Sequence, residues 1–441
     1  MSRSKYVSVG DTGGLILDSK YDDFATNAGL QIIKNEILSA IEAGNVKVQL
    51  SGQDGALEVT LTGSNEEPVN VKVLGSVNLD RGGALHTPLV VEPITAAKRP
   101  YPPRITPEII QSLRRIAWLS SDGKVLFSGW SQYLRRSLDE GETWNIVHTF
   151  PYAVYMVRDL ADGELLVCIH DPTNFSEKAS LWKSRGWDPE DFSGTTWEKV
   201  HDLYHARVYV ANSWGISIYD NVIVLAEYGP KTAEYNARHV YLSTDYGETW
   251  ETIFDLGSTQ GAHLHGVCFD PWYNRIWVGN GDGPHAAIRY SDDWGKTWTV
   301  VSNKQATSII ALEHAVVFAT DSFTNGFLRA PRIGRGKTPI IEEIHVETPD
   351  SMKLVGQLIY KRPGPEFPAF FSFSRADSGP GLVYASMDGL TFHEVWRDWQ
   401  DYQERGMLTF VGPTEGGKVI GTLLDNRHTT SRVIADAPQW V

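Results

Sequence analysis

Two histidines stand two residues apart in the stretch HLHG, as His263 and His265. On a strand that spacing puts both imidazoles on one face. With Asp282 or His285 nearby, both in GNGDGPH, such a pair can hold a metal ion. The competing reading has the two rings hydrogen-bonded to neighbouring strands, and the expectation adopted is that one: no metal and no cofactor. Glu227, in AEYGPK, and Asp282 are the carboxylate candidates for catalysis. Cleaving a glycosidic bond needs two such groups about 5–10 Å apart. Histidine, aromatic and arginine residues crowd the same stretches, notably His205, Arg207, Trp214 and Tyr228. Aromatic faces stack on the apolar side of a sugar ring, while Arg, Asp and His read its hydroxyls. The predicted ligand-binding residues are therefore His205, Arg207, Trp214, Glu227, Tyr228, His263, His265 and Asp282, and the expected ligand is a bacterial surface glycan. The sequence holds no nucleophile elbow, phosphate-cradling glycine loop or Cys/His metal cluster.

These residues need a scaffold, and the chain writes it as strands. From about Ile116 nearly to the end, alternating apolar runs are separated by turns; residues 114–150 alone contain four. One eight-residue phrase recurs: SLDEGETW at 137–144, STDYGETW at 243–250 and SDDWGKTW at 291–298. A broken version lies at 184–197 and a shortened one, SMDGLTF, at 386–392. The spacing, roughly 40–60 residues, is the period of a four-stranded propeller blade. Blade-like units begin near 114, 154, 207, 262, 308, 354 and 407. The last shows only three strands. Because open edges are a liability, a segment such as HTPLVVEPI (86–94) is expected to supply the missing outer strand.

The phrase Ser-x-Asp-x-Gly-x-Thr-Trp resembles the Asp-box, or bacterial neuraminidase repeat, and the resemblance covers most of 114–400. It implies an all-β fold: a seven-bladed Asp-box β-propeller, with six blades the alternative. It also implies a structural turn between the third and fourth strands of a blade, on the face opposite the ligand site. The residues concerned are Ser137, Asp139, Gly141 and Trp144, then Ser243, Asp245, Gly247 and Trp250, then Ser291, Asp293, Gly295 and Trp298. The aspartates can accept hydrogen bonds from their own turn, and the glycines can supply positive φ. Sialidase chemistry in that family uses an arginine trio, a Tyr–Glu pair and an acid. The family's Phe-Arg-Ile-Pro string is missing; Arg104 and Arg332 sit in partial echoes of it, and Glu227, Tyr228 and Arg238 could be parts of such a site. Glycoside hydrolysis therefore stands second to binding.

Composition sets outer limits. The chain has 441 residues, 41% hydrophobic and 11% aromatic, with a formal net charge of −14. Such acidity argues against nucleic acid as a partner, and no basic tract or apolar span points to membrane insertion. Two cysteines, Cys168 and Cys268, lie among apolar residues and are expected as buried free thiols. The N-terminus has no apolar signal-peptide core. Residues 1–45 read as an anchor with one amphipathic helix (27–44), with Leu30, Ile33, Ile37 and Ile41 on one face. Residues 46–95 carry a glycine-closed repeat: VKVQLSG, LEVTLTG and VNVKVLG. Its single apolar face needs a partner, so a homotrimer through residues 1–95 is expected. Residues 96–441 form the propeller. Anchor, shaft and head resemble a bacteriophage tail fibre. That layout implies other virion tail proteins as partners, assembly in the host cytoplasm, and a final location in the virion. A non-catalytic assembly scaffold is a further alternative.

Overall fold

A computed structural model describes the strands at 7–9, 15–17, 46–50, 57–61 and 69–73, and most of the chain from 108 onward. The breaks after 108 are 112–115, 130, 174–176, 212–213, 231, 233–235, 259–262, 321–325, 335, 346–353, 362–366, 376–381, 398–406, 425–429 and 438–441. One compact unit is built on Met1–Pro100, the other on Tyr101–Arg332 with Thr338–Trp440. The division falls a few residues after the expected joint at 95/96.

In the first unit, Val46–Leu50, Leu57–Leu61 and Val69–Val73 form an antiparallel sheet in that order. The register aligns Val48 with Val59 and Val59 with Val71. Its three strands lie within the three repeats of the sequence, each ending two residues before the repeat's glycine. Val7–Val9 pairs with Leu15–Leu17, a hairpin the sequence reading had not foreseen. The expected helix at 27–44 lies outside the described residues.

The second unit is all-β. Among the described residues it holds seven successive antiparallel sheets, whose first strands begin at Ile116, Ala153, Tyr209, Leu264, Ser308, Leu354 and Met407. In most of them four strands pair in chain order. The third sheet differs. Its first strand is split into Tyr209–Val210 and Ile216–Tyr219, both paired to Val222–Tyr228. The last sheet contributes Met407–Val411, Lys418–Leu424 and Thr430–Asp436, and its fourth strand is Glu108–Gln111, from before the first sheet. The expected donor, 86–94, lies outside the described residues, and the edge position is taken by EIIQ instead. That segment can reach it because it directly precedes the first sheet.

Burial follows strand order. The second strands Leu165–His170 and Arg275–Asn280 are buried throughout, whereas fourth strands such as Asn145–Thr149 are largely open. Apolar side chains collect between consecutive sheets. Phe127, Leu134, Val154 and Val167 join the first to the second. Met156, Leu166, Ile223 and Tyr241 join the second to the third. Val240 with Val267, Trp277 with Phe318, Phe327 with Phe371, and Val383 with Val419 continue the series. The last cluster returns to the start: Val411 and Ile420 pack on Leu119 and Leu126. Polar bonds cross the same junction, from Thr414 Oγ1 to Glu140 at 2.6 Å and from Glu415 N to Gly123 O at 2.8 Å. Both cysteines are buried free thiols, and burial pushes each up to about 12.

The recurrent phrase folds the same way each time. It joins the third and fourth strands of its sheet. Ser243 Oγ donates to Asp245 Oδ1 (2.8 Å) and accepts from Gly247 N (2.8 Å). Asp245 also accepts from Thr249 N and Oγ1, at 2.9 and 2.5 Å. Trp250 Nε1 donates to Gly247 O at 3.0 Å. The copies at Ser137 and Ser291 repeat these bonds within 0.1 Å. Two successive residues are left-handed, Trp294 (φ 62°) and Gly295 (φ 88°) in the last copy. A Cβ on Gly295 would stand 2.5 Å from Ile253, so only glycine fits there. Trp144, Trp250 and Trp298 are half-buried, each packed against an inter-sheet cluster.

The shortened copy keeps the Gly389 N to Ser386 Oγ bond at 2.9 Å. In the broken copy the missing aspartate is replaced from another hairpin. Glu164 accepts from Ser184 Oγ, Gly186 N and Trp187 N at 2.5, 2.8 and 3.2 Å.

Candidate ligand-binding face

Antiparallel pairing fixes which ends of the strands meet. In the fourth sheet, Ala287–Ser291 begins just after Asp282 and runs into the phrase at Ser291. A strand rises about 3.3 Å per residue, so Asp282 and the phrase sit at opposite ends of that sheet. The phrase end is tied by ions and hydrogen bonds; the Asp282 end is lined with rings.

These rings form an unbroken series over three sheets. Tyr155 lies 4.5 Å from Tyr209, centroid to centroid, and His170 packs on both, at 5.1 and 5.4 Å. Tyr209 meets Tyr228 at 5.6 Å, and Trp214 meets Tyr228 edge-on at 5.6 Å. Tyr228 then meets His263 and His265, at 5.4 and 5.8 Å. Apart from Trp214, each ring stands near the start of a first strand or at the end of a second one. Trp214 lies in the interruption of the split strand, held by the Gly215 N to Ala211 O bond of 2.8 Å. Tyr155, Tyr209, Trp214 and Tyr228 are half-buried, so part of each faces outward.

At the end of the series stand His263, His265 and Asp282. The two histidine Nε2 atoms approach to 2.6 Å; Asp282 lies 3.5 Å from His263 through Oδ2 and 3.7 Å from His265 through Oδ1. One candidate ligand atom from each residue falls within 4.8 Å of the others. His285, the alternative third ligand, is not in that group; its backbone oxygen accepts from Asn280 Nδ2 at 2.6 Å.

Of the predicted residues, Trp214, Tyr228, His263, His265 and Asp282 are thus brought together. Glu227 is not available as a catalytic or ligand-binding carboxylate. It is fully buried, and its oxygens accept from Tyr204 N (2.8 Å), Tyr241 Oη (2.7 Å), Arg238 N (3.2 Å) and His239 N (3.0 Å). His239 Nδ1 is a further neighbour at 3.2 Å. Burial, and then the charge of Glu227, push the Tyr241 phenol up. On a strand, Glu227 and Tyr228 must face opposite ways; Tyr228 took the open side. The pairing of Glu227 with Asp282 across a glycosidic bond therefore fails.

His205 uses Nδ1 locally, accepting from Arg207 N at 3.1 Å, and Arg207 is exposed. Arg238 lies over the Tyr204 ring, 4.4 Å from its centroid, and 3.3 Å from Asp255. Arg332 is a buried fork, bonded to Asp270 at 2.5 Å and to Leu312 O. It holds sheets together and is not a carboxylate clamp. Arg104 lies outside the described residues. The sequence reading missed Tyr155, His170, Tyr209 and Gln305. Their signal was position, since Tyr155, Tyr209 and His170 flank the same strand ends as the residues that were found.

No family model matches the chain, and no curated protein sequence does. Among solved structures it is similar to a GH74 xyloglucanase from Xanthomonas campestris, at 13% identity and a TM-score of 0.48, over 72% of this chain and 52% of that one. A post-proline cleaving enzyme from Rickettsia typhi matches at 9% identity and 0.44, over 78% and 53%. A GH74 enzyme from Niastella koreensis matches at 13% and 0.30, over 86% and 61%. The chain spans about half the length of the first two. Its own repeated four-stranded sheets define the class: an all-β, propeller-like protein.

Proposed function

We propose that the second unit is a closed, seven-bladed β-propeller of the Asp-box type that binds a saccharide of a bacterial surface. The unbroken run of rings from Tyr155 to His265, in which Tyr155, Tyr209 and Tyr228 are half-buried and the histidines buried, carries this reading. A row of tilted aromatic faces offers apolar area for sugar rings at little conformational cost, and Asp282 and the histidines add polar partners. Closure is supported by the packing of the seventh sheet on the first. We place the propeller as the head of a bacteriophage tail-fibre-like protein, trimeric through residues 1–95. The three-stranded sheet of the first unit supports a shaft.

The hydrolase alternative has lost one of its two carboxylates, because the donors around Glu227 hold it. The test is adsorption of the protein to bacterial cells and to a panel of bacterial glycans. Trp214→Ala and Tyr228→Ala should weaken binding about tenfold or more, as for losing ~1–2 kcal/mol of stacking. Binding equal to the parent's in both variants would move the site elsewhere. Release of reducing sugar would make the protein an enzyme. Light scattering that returns a monomeric full-length chain would end the trimer proposal.

A further inference from the structure

We infer that His263, His265 and Asp282 form a binding site for a divalent transition-metal ion, zinc by preference. The inference goes beyond the saccharide reading and does not depend on it. It revises the sequence expectation of no metal.

The tautomer of His263 is the first ground. Its Nδ1 lies 2.9 Å from Gly229 O. A carbonyl only accepts, so Nδ1 carries the proton, and in the neutral ring Nε2 presents a lone pair. Metal-bound histidines are commonly oriented by such a bond from the other ring nitrogen. Gly229 is shaped for this role: with φ +150°, a Cβ there would stand 2.8 Å from Arg207 O. The backbone closes in at this point because no side chain intervenes.

The second ground is convergence. The His263 lone pair points into a space shared with His265 Nε2 and both Asp282 oxygens. Three zinc ligands at about 2.0–2.2 Å in tetrahedral geometry lie about 3.3–3.5 Å from one another. The two imidazole–carboxylate separations are close to this, 3.5 Å from His263 to Oδ2 and 3.7 Å from His265 to Oδ1. To admit an ion the Nε2 pair, at 2.6 Å, must open and the carboxylate turn slightly to offer one oxygen to both sides.

The third ground is how Asp282 is held. It stands at the N-cap of the short turn Gly283–His285, yet its side chain makes no cap bond. Aspartate at that position ordinarily bonds the turn's N–H groups. Here Gln305 Nε2 donates to Oδ1 at 2.7 Å, from a buried amide of the next sheet junction. A ligating carboxylate held by a hydrogen bond from a neighbouring side chain is usual at metal sites. Two imidazoles favour zinc, cobalt or nickel over magnesium or calcium. Three protein ligands leave a fourth position for water or a ligand oxygen.

The test uses the full-length protein, stripped with a chelator and titrated calorimetrically with zinc chloride and, in parallel, magnesium chloride. The parent should bind a single zinc ion per chain and no magnesium. Asp282→Asn keeps an acceptor for Gln305 and should melt in chelator like the parent, yet bind zinc about tenfold or more weakly. His263→Ala with His265→Ala should lose the ion, and His285→Ala should bind like the parent. A parent that takes up no zinc overturns the site. So does an Asp282→Asn protein whose zinc affinity is unchanged, in which case the 2.6 Å contact is an ordinary hydrogen bond between imidazoles.

Discussion

Glu227 and Asp282 carry the same functional group, and their surroundings give them opposite fates. Glu227 is enclosed by backbone N–H groups and the Tyr241 hydroxyl, and no face of it is left for a ligand. Asp282 is partly open and accepts from the Gln305 side-chain amide. Replacing Glu227 by Gln would set an NH2 group against donors. The expected result is a loss of about 2–4 kcal/mol in stability, from unpaired buried donors and a lost charged acceptor. Chemical denaturation would read it. Glycan binding in the folded fraction should be unchanged. A variant as stable as the parent would show that the enclosed carboxylate contributes little.

At the scale of elements, the phrase turns also tie sheets together. Glu248, within the second intact copy, accepts from Arg185 through both oxygens at 2.6 Å, and from Lys183 Nζ at 2.6 Å. Lys183 is fully buried in the second sheet and reaches Asp162 and Tyr246 O as well. The Arg185 hydrogen bonds come first among the causes that bring Glu248 from the usual 4.5 down to about 2, against a smaller upward push from burial. A carboxylate depressed in the folded state stabilises at pH above its unfolded value. That contribution is fully present above about pH 4.5 and is lost as pH falls toward about 2. Melting temperature followed over that window should fall more steeply for the parent than for Glu248→Gln. Parallel curves would mean that the ion cluster is offset elsewhere. Because Glu248 is more than a third exposed, salt should blunt the effect.

Closure belongs to the whole second unit. Glu108–Gln111 pairs with Thr430–Asp436 in the register Ile109 to Val433 and Ile110 to Arg432. Strands from opposite ends of the second unit complete one sheet, so its last sheet cannot be finished without its first strand. Deleting residues 1–111 should leave the edge at 430–436 open, lower the melting temperature and promote aggregation. Deleting only residues 1–100 should leave the melt nearly as it was. Differential scanning and light scattering on the two truncations distinguish these outcomes. Equal melts would show that the strand is dispensable.

The sequence by itself determined what is local. Period-two alternation marked the sheets and their first strands. Ser-x-Asp-x-Gly-x-Thr-Trp closes its bonds within eight residues, so its turn could be read without knowing its neighbours. The three N-terminal repeats were legible for the same reason. Tertiary structure decided what depends on distant partners. Which segment closes the last sheet turned on pairing between 108–111 and 430–436. Whether Glu227 or Tyr228 faces the open side turned on a strand's orientation in a sheet packed on both faces. Arg332 looked like part of an anion clamp until Asp270 and Leu312 O were brought to it. The convergence of His263, His265 and Asp282 arises where the loop after the second strand of the fourth sheet lies against the start of the first, Gly281 N bonding His263 O at 3.0 Å. Spacing alone left that loop's direction open between Asp282 and His285.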